Sequence, residues 1–241
     1  MRILITNDDS ISAEQLLPLA LYCRRFGEIT VAVPKHEQSA KSHGINIHHP
    51  FEVTKRTFDN DIPVYVVDST TADCVRFAVL GLKLKFDLVI SGINRGFNMG
   101  TDMLYSGTVS AVREAGILGL PAIALSSSPE YYDKAINHLD TVFDYISHNK
   151  LLDVHSLYNI NIPPNSSEIK ITRQGGVYFS DNFVEAGDNM YQASGICAYK
   201  NRDDLTLDTD AVMAGYISIT PITINMTNKE VFNTLRKEPS L

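Results

Sequence analysis

Two adjacent carboxylates, Asp8 and Asp9, follow the apolar run Ile3-Leu4-Ile5 inside the turn-forming string Asn7-Asp8-Asp9-Ser10. Crowded like charges repel, and a divalent cation relieves that repulsion; hard cations such as Mg²⁺ prefer oxygen ligands. Further oxygen donors recur at intervals. Ser39 sits in the polar stretch 35–49 and can offer a hydroxyl to a metal or a phosphate. Asn94 lies in the glycine- and asparagine-rich stretch 91–102, as the first side chain past an apolar run able to give a carbonyl oxygen to a cation. Ser106-Gly107-Thr108 then precedes a helical pattern. A helix opening there presents free amides, hydroxyls and the positive end of its dipole, which suit phosphate. Each feature also has a plainer use: the acids and Ser106 as helix caps, Ser39 as a solvated loop residue. His36, His43, His48 and His49 fit no familiar ligand spacing and read as surface residues.

These donors need elements to position them. Ile3-Leu4-Ile5 is continuous, as in a strand buried on both faces of a parallel sheet. Residues 12–15 (Ser-Ala-Glu-Gln) read as a capping box opening a helix, whose inner face is Leu16, Leu19, Ala20, Cys23 and Phe26 and whose end falls near Gly27. Pro18 requires that this helix start a turn later or kink. Residues 29–33 form a second strand closed by Pro34. This β-α-β unit implies a parallel pair with a right-handed crossover, so Asp8 and Asp9 stand at the carboxyl edge, where open α/β sheets bind ligands.

The alternation continues. Residues 45–53 look extended, as a hairpin arm, and 63–67 form a strand. Asp68-Ser69-Thr70-Thr71 leads into a helix with Val75, Ala78, Val79 and Leu82 on one face. Strands are expected at 87–91, 121–126 and 158–162, and one long helix over 130–148. Beyond residue 165 the pattern shifts to period two at 169–173, a Gly175-Gly176 turn, aromatic hairpins over 177–199, a turn or short helix after Asp208-Thr209-Asp210, a strand at 216–220 and a final helix over 227–236. The expected organisation is an α/β core, 1–165, and an extension, 166–241, continuous with it.

With 44% hydrophobic and 20% charged residues the chain is an ordinary globular one, and its net charge of -7 argues against a nucleic-acid polymer as partner. Its three cysteines are widely spaced, which disfavours a disulfide framework or zinc site and fits a reducing compartment. No secretory leader or membrane-spanning run is evident, so the expectation is a cytoplasmic protein without membrane contact.

Several segments together resemble the SurE family of metal-dependent nucleotidases. They include Ile3 with the residues through Asp9, Ala72-Asp73-Cys74-Val75, Ser91-Gly92-Ile93-Asn94 with Gly96, Asn98, Gly100 and Asp102, Tyr105-Ser106-Gly107-Thr108-Val109, and Gly215-Tyr216-Ile217. The resemblance implies an α/β, Rossmann-like, mostly parallel sheet flanked by helices, with a C-terminal hairpin and helix used for oligomerisation into a homodimer or homotetramer. It implies one divalent ion per subunit, Mg²⁺ or Mn²⁺, held by Asp8, Asp9, Ser39 and Asn94. It places substrate phosphate near Asn94, Ser106, Gly107 and Thr108, with Asp8, Asp9 and Asn94 doing the chemistry. The substrate class implied is the nucleoside monophosphate, with short polyphosphate taken by some members. Two departures stand out: Ser10 where the family has Gly, and Ser69-Thr70-Thr71 where it has Gly-Thr-Pro.

Either carboxylate can serve as base in such a scheme. Three other readings compete. A phosphatase with a covalent aspartyl intermediate normally has its acids separated by one residue, and here they are adjacent. A receiver-like signalling module would use Asp68 as phosphoacceptor, yet lacks the expected lysine after residue 125. A nucleotide-binding protein without catalysis is the third.

Overall fold

A computed structural model describes residues 1–59, 61–164 and 168–236. The order of its nine-stranded sheet is β3-β4-β2-β1-β5-β6-β7-β9-β8 in chain numbering, where β1 is Arg2–Thr6, β2 Glu28–Pro34, β3 Val53–Phe58, β4 Ile62–Val67, β5 Leu88–Arg95, β6 Ala122–Ser127, β7 Leu157–Ile162, β8 Ile169–Ile171 and β9 Ile217–Pro221. All neighbours pair in parallel except β3 with β4 and β9 with β7.

The apolar runs are continuous because both faces of the sheet are covered. Ile3 and Ile5 pack with Leu16, Leu19, Leu139 and Val142 on one side. Leu4 packs with Cys74, Val75, Val109 and Val112 on the other. The covering helices are α1 (Leu16–Cys23) and α4 (Leu139–His148) on the first face, and α2 (Thr71–Arg76) and α3 (Gly107–Ile117) on the second. Short helices α5 (Leu151–Val154), α6 (Asp208–Met213) and α7 (Lys229–Leu235) are the other α-helices among the described residues. A separate two-stranded hairpin, Phe179–Glu185 with Tyr191–Cys197, is exposed along its whole length.

β2 lies on one side of β1 and β5 on the other, so the winding reverses between β1 and β5. That reversal opens a crevice at the carboxyl ends of the two strands, the place where open α/β sheets bind ligands.

Several local expectations are corrected. Gln15 caps α1 without a side-chain bond, so residues 12–15 form turns rather than a capping box, and the helix begins at Leu16. Pro18 thus falls in the first turn, where its missing N–H costs nothing. The long helix over 130–148 is a 3₁₀ segment, Pro129–His138, followed by α4. Residues 45–52 are not a strand; the hairpin arm starts at Val53. Asp208 opens α6 rather than preceding it. Strand β5 runs on to Arg95, with a register shift between Ser91 and Asn94, so Asn94 belongs to the strand end rather than to the loop beyond it. The expected boundary at 165 lies outside the described residues.

Candidate active site

A cleft of about 470 Å³ opens at the crevice, lined by Asp8, Ser39, Asn94, Arg95, Asp102 and Ser106 among others. Asp8 arrives from β1, Asn94 from the end of β5, Ser106 from the N-cap of α3, and Ser39 from the loop after β2. Residues from four elements therefore line one cleft.

Asp8 is 3% exposed. The Thr108 hydroxyl donates to its Oδ1, and the amides of Gly107 and Thr108 lie close enough to favour its charged form. Burial nevertheless wins and raises its pKa. Asp9 is more open. Its Oδ2 accepts the Arg95 amide at 3.1 Å. Its carboxyl is pushed up to about 6, first by burial and then by the charge of Asp8. Two carboxylates that both resist ionisation form a site that favours a positive charge between them.

The remaining donors suit a hard cation. Asn94 gives its amide N–H to the Gly96 carbonyl at 2.8 Å, which leaves its carbonyl oxygen as the acceptor for the cleft. Ser39 donates its hydroxyl proton to Glu37 at 2.6 Å, which leaves oxygen lone pairs for a ligand. Among the described residues no group of three or more His, Cys, Asp or Glu side chains forms a ready-made cage. The set is two carboxylates plus neutral oxygens, the pattern Mg²⁺ accepts when water and substrate phosphate complete its shell.

Each element is held from behind. The loop leaving β5 is pinned at Asn98, whose amide donates to Asn161 Oδ1 at 2.8 Å and whose side chain donates to Ser126 Oγ at 2.8 Å. Its carbonyl accepts from Asn159 at 2.6 Å and Asn161 at 3.0 Å. Asp208 accepts the Gly100 amide at 3.0 Å and the Gly175 amide at 2.7 Å, tying the C-terminal segment to the same loop. The loop after β2 is tied down by the Gln38 amide, which donates to the Asp8 carbonyl at 2.8 Å.

Asp8, Ser39, Asn94 and Ser106 thus meet at one cleft, with Asp9 immediately beside Asp8. Gly107 and Thr108 stand behind Asp8 and are turned toward it. The sequence reading missed Glu37, Asn159, Asn161 and Asp208, and the hairpin residues Phe179 and Asp181 that line the outer wall. A signal existed for the asparagines: they alternate with Ile160 and Ile162 in a strand that is buried throughout, so their polar face had to have partners inside. His43, read as a surface residue, is in fact bonded to the buried Glu114.

The first departure leaves strain in the backbone, and the second is absorbed locally. Ser10 adopts φ 75°, a left-handed conformation that favours glycine. Ser69 donates to Asp73 Oδ2 at 2.6 Å, and Thr70 caps α2 through the Asp73 amide at 3.2 Å.

Comparison with known proteins bears on the family and the fold. The family model for survival protein SurE matches residues 3–181. A 5'-nucleotidase SurE of Alkaliphilus metalliredigens is 40% identical over 249 residues, covering 98% of each chain. One from a Thermoanaerobacter species is 37% identical over 246 residues, covering 98% of this chain and 97% of the relative. The crystal structure of a SurE protein from Aquifex aeolicus superposes with a TM-score of 0.76 at 28% identity, over 98% of both chains.

Proposed function

The chain belongs to the SurE family, and from that premise we propose that it is a divalent-cation-dependent phosphomonoesterase acting on nucleoside monophosphates. The observation that carries this reading is the shared cleft of Asp8, Ser39, Asn94 and Ser106, with Asp9 next to Asp8 in the chain and bonded to the amide of the cleft residue Arg95. The family relatives are named 5'-nucleotidases; activity on 3'-monophosphates and on short polyphosphate extends the proposal.

In this scheme Asp8, Asp9, Ser39 and Asn94 hold one Mg²⁺ or Mn²⁺ ion per subunit. The ion, when bound, withdraws charge from phosphate and acidifies water. Asp8 is fixed by Thr108 and serves as an immobile ligand. Asp9, the less buried acid, orients the attacking water and takes its proton. As the water oxygen bonds to phosphorus, the ester P–O bond breaks and the nucleoside oxygen leaves to gain a proton. Asn94 and Ser106 receive the phosphoryl oxygens, with the first turn of α3, whose Gly107 and Thr108 face Asp8, behind them. Arg95 adds a cation to an otherwise acidic rim. Phe97, Tyr105 and Phe179, which line the same cleft, offer apolar surface to a base.

The reading extends to assembly and location. The hairpin exposes Phe179, Phe183, Tyr191 and Ile196, which supports a homodimer or homotetramer. Cys23, Cys74 and Cys197 are free thiols, compatible with the cytoplasm. No helix among the described residues is long and apolar enough to cross a membrane.

The test is phosphate release from a panel of 5'- and 3'-monophosphates and polyphosphate. Release from at least one monophosphate, abolished by chelator and restored by Mg²⁺ or Mn²⁺, is the expected result. Nucleotide binding without phosphate release under any divalent ion would replace the proposal with a non-catalytic binding role.

A further inference from the structure

One buried ionisable group plays no part in the scheme above. Glu114, in the middle of α3, is 3% exposed. Its Oε1 accepts from Arg76 Nη1 of α2 at 2.9 Å. Its Oε2 lies 2.8 Å from His43 Nε2, on the loop that carries Ser39. Hydrogen bonds from His43 and Arg76 hold the Glu114 carboxyl below the usual range in spite of burial, so it is an acceptor and His43 Nε2 carries the donated proton.

The loop needs such an anchor. Residues 35–52 contain no strand or helix. Upstream of Ser39 the chain is tied at Gln38 to the Asp8 carbonyl. Downstream it is tied at Ser42, whose amide donates to the Tyr105 carbonyl at 2.9 Å, and at Asn46, whose amide donates to Asp73 at 2.8 Å. Only His43 connects the loop's side chains to α3 through a buried charge among the described residues. That helix presents Gly107 and Thr108 to Asp8 at its other end. One rigid element therefore fixes Asp8 directly and the Ser39 loop through Glu114.

We propose that His43 is a positioning residue for Ser39: its bond to Glu114 sets the loop at the distance from α3 at which the Ser39 hydroxyl joins Asp8, Asp9 and Asn94 around the cation. The inference rests on the cation reading of the site. Outer partners of metal ligands typically affect affinity by about 10–100-fold. A pair that served folding alone would leave cation affinity untouched.

The experiment is calorimetric titration of Mn²⁺ into chelator-stripped full-length protein, with hydrogen exchange followed at the Ser42 and Asn46 amides. His43→Ala is expected to weaken Mn²⁺ binding about tenfold or more and to speed exchange at both amides. His43→Gln places an amide nitrogen where Nε2 stands and is expected to stay within about threefold of the parent. His43→Asn, whose nitrogen falls short of Glu114, should behave as the alanine variant, so the test does not hang on the folding of one protein. Unchanged affinity in His43→Ala and His43→Asn, or a glutamine variant as weak as alanine, would overturn the latch alone. Failure of the parent to bind Mn²⁺, or full binding by Asp8→Asn, would overturn the site reading and the latch with it.

Discussion

Gly107 backs directly onto Asp8: a Cβ on Gly107 would lie 2.7 Å from Asp8 Cβ and 2.8 Å from its Oδ2. The first turn of α3 is thus moulded to the carboxylate, and the helix dipole and Thr108 hydroxyl act on it at contact range. Gly107→Ala should force the two apart. Overpacking of this kind costs about 1–3 kcal/mol, and the expected outcome is a lower melting temperature together with at least a tenfold loss of phosphate release. A variant with the parent's melting temperature and rate would show that Asp8 does not need this support.

Thr108 tests the same contact from the other side. Thr108→Val keeps the shape but leaves Asp8 Oδ1 without its hydroxyl donor. Loss of a buried partner costs about 1–3 kcal/mol, read by denaturant unfolding in chelator. Thr108→Ser restores the donor and should recover most of the loss; equal stability of the valine and parent proteins would contradict the role given to the bond.

The acid pair has a pH signature. The Asp9 carboxyl stands at about 6 against an ordinary value of 3.8, because burial and the charge of Asp8 both oppose its ionisation. Below the ordinary value folded and unfolded chains are both protonated and the site costs nothing. Between the ordinary value and about 6 the unfolded chain ionises while the folded chain keeps its proton, so stability falls across that interval and levels off above it. In chelator, the stability of the parent relative to Asp9→Asn should therefore fall between about pH 4 and about pH 6 and stay level above that. Mn²⁺ should reverse the trend and bind more weakly below pH 6. A difference that is flat or rises with pH would mean the pair is not under this strain.

The core of this arrangement is legible without coordinates. Ile3-Leu4-Ile5 ending at two acids specifies a parallel strand and a charged rim, and the glycines around Asn94 mark a loop built for close approach. What is not legible is which donors turn outward. Thr108 and Gly107 look like phosphate binders from their place at a helix start, and only packing shows them turned toward Asp8. His43 looks like a solvated loop residue, since Glu114 lies 71 positions away and nothing local couples them. The 3₁₀ start of the segment at Pro129–His138 is hidden for a related reason: tertiary contacts of Tyr132 and Ala135 override a pattern that reads as α-helix.

Ser10 is a residue out of register with its backbone. At φ 75° it occupies a region costly for any residue with a Cβ. Its side chain contributes one long bond from the Ser12 amide, 3.3 Å. Ser10→Gly should therefore raise stability by about 0.5–1 kcal/mol, the relief of strain exceeding the added freedom of the unfolded chain. Thermal unfolding in chelator measures this, and a clear loss of stability would show that the serine side chain outweighs the strain.

The convergence of oxygen donors on one cation is tested most directly by anomalous scattering from a crystal of the protein soaked in Mn²⁺. The expected result is a single strong peak per subunit, within about 2.5 Å of oxygens from Asp8, Asp9, Ser39 and Asn94. Absence of a peak there, or a peak bound elsewhere on the molecule while those side chains stay apart, would contradict it.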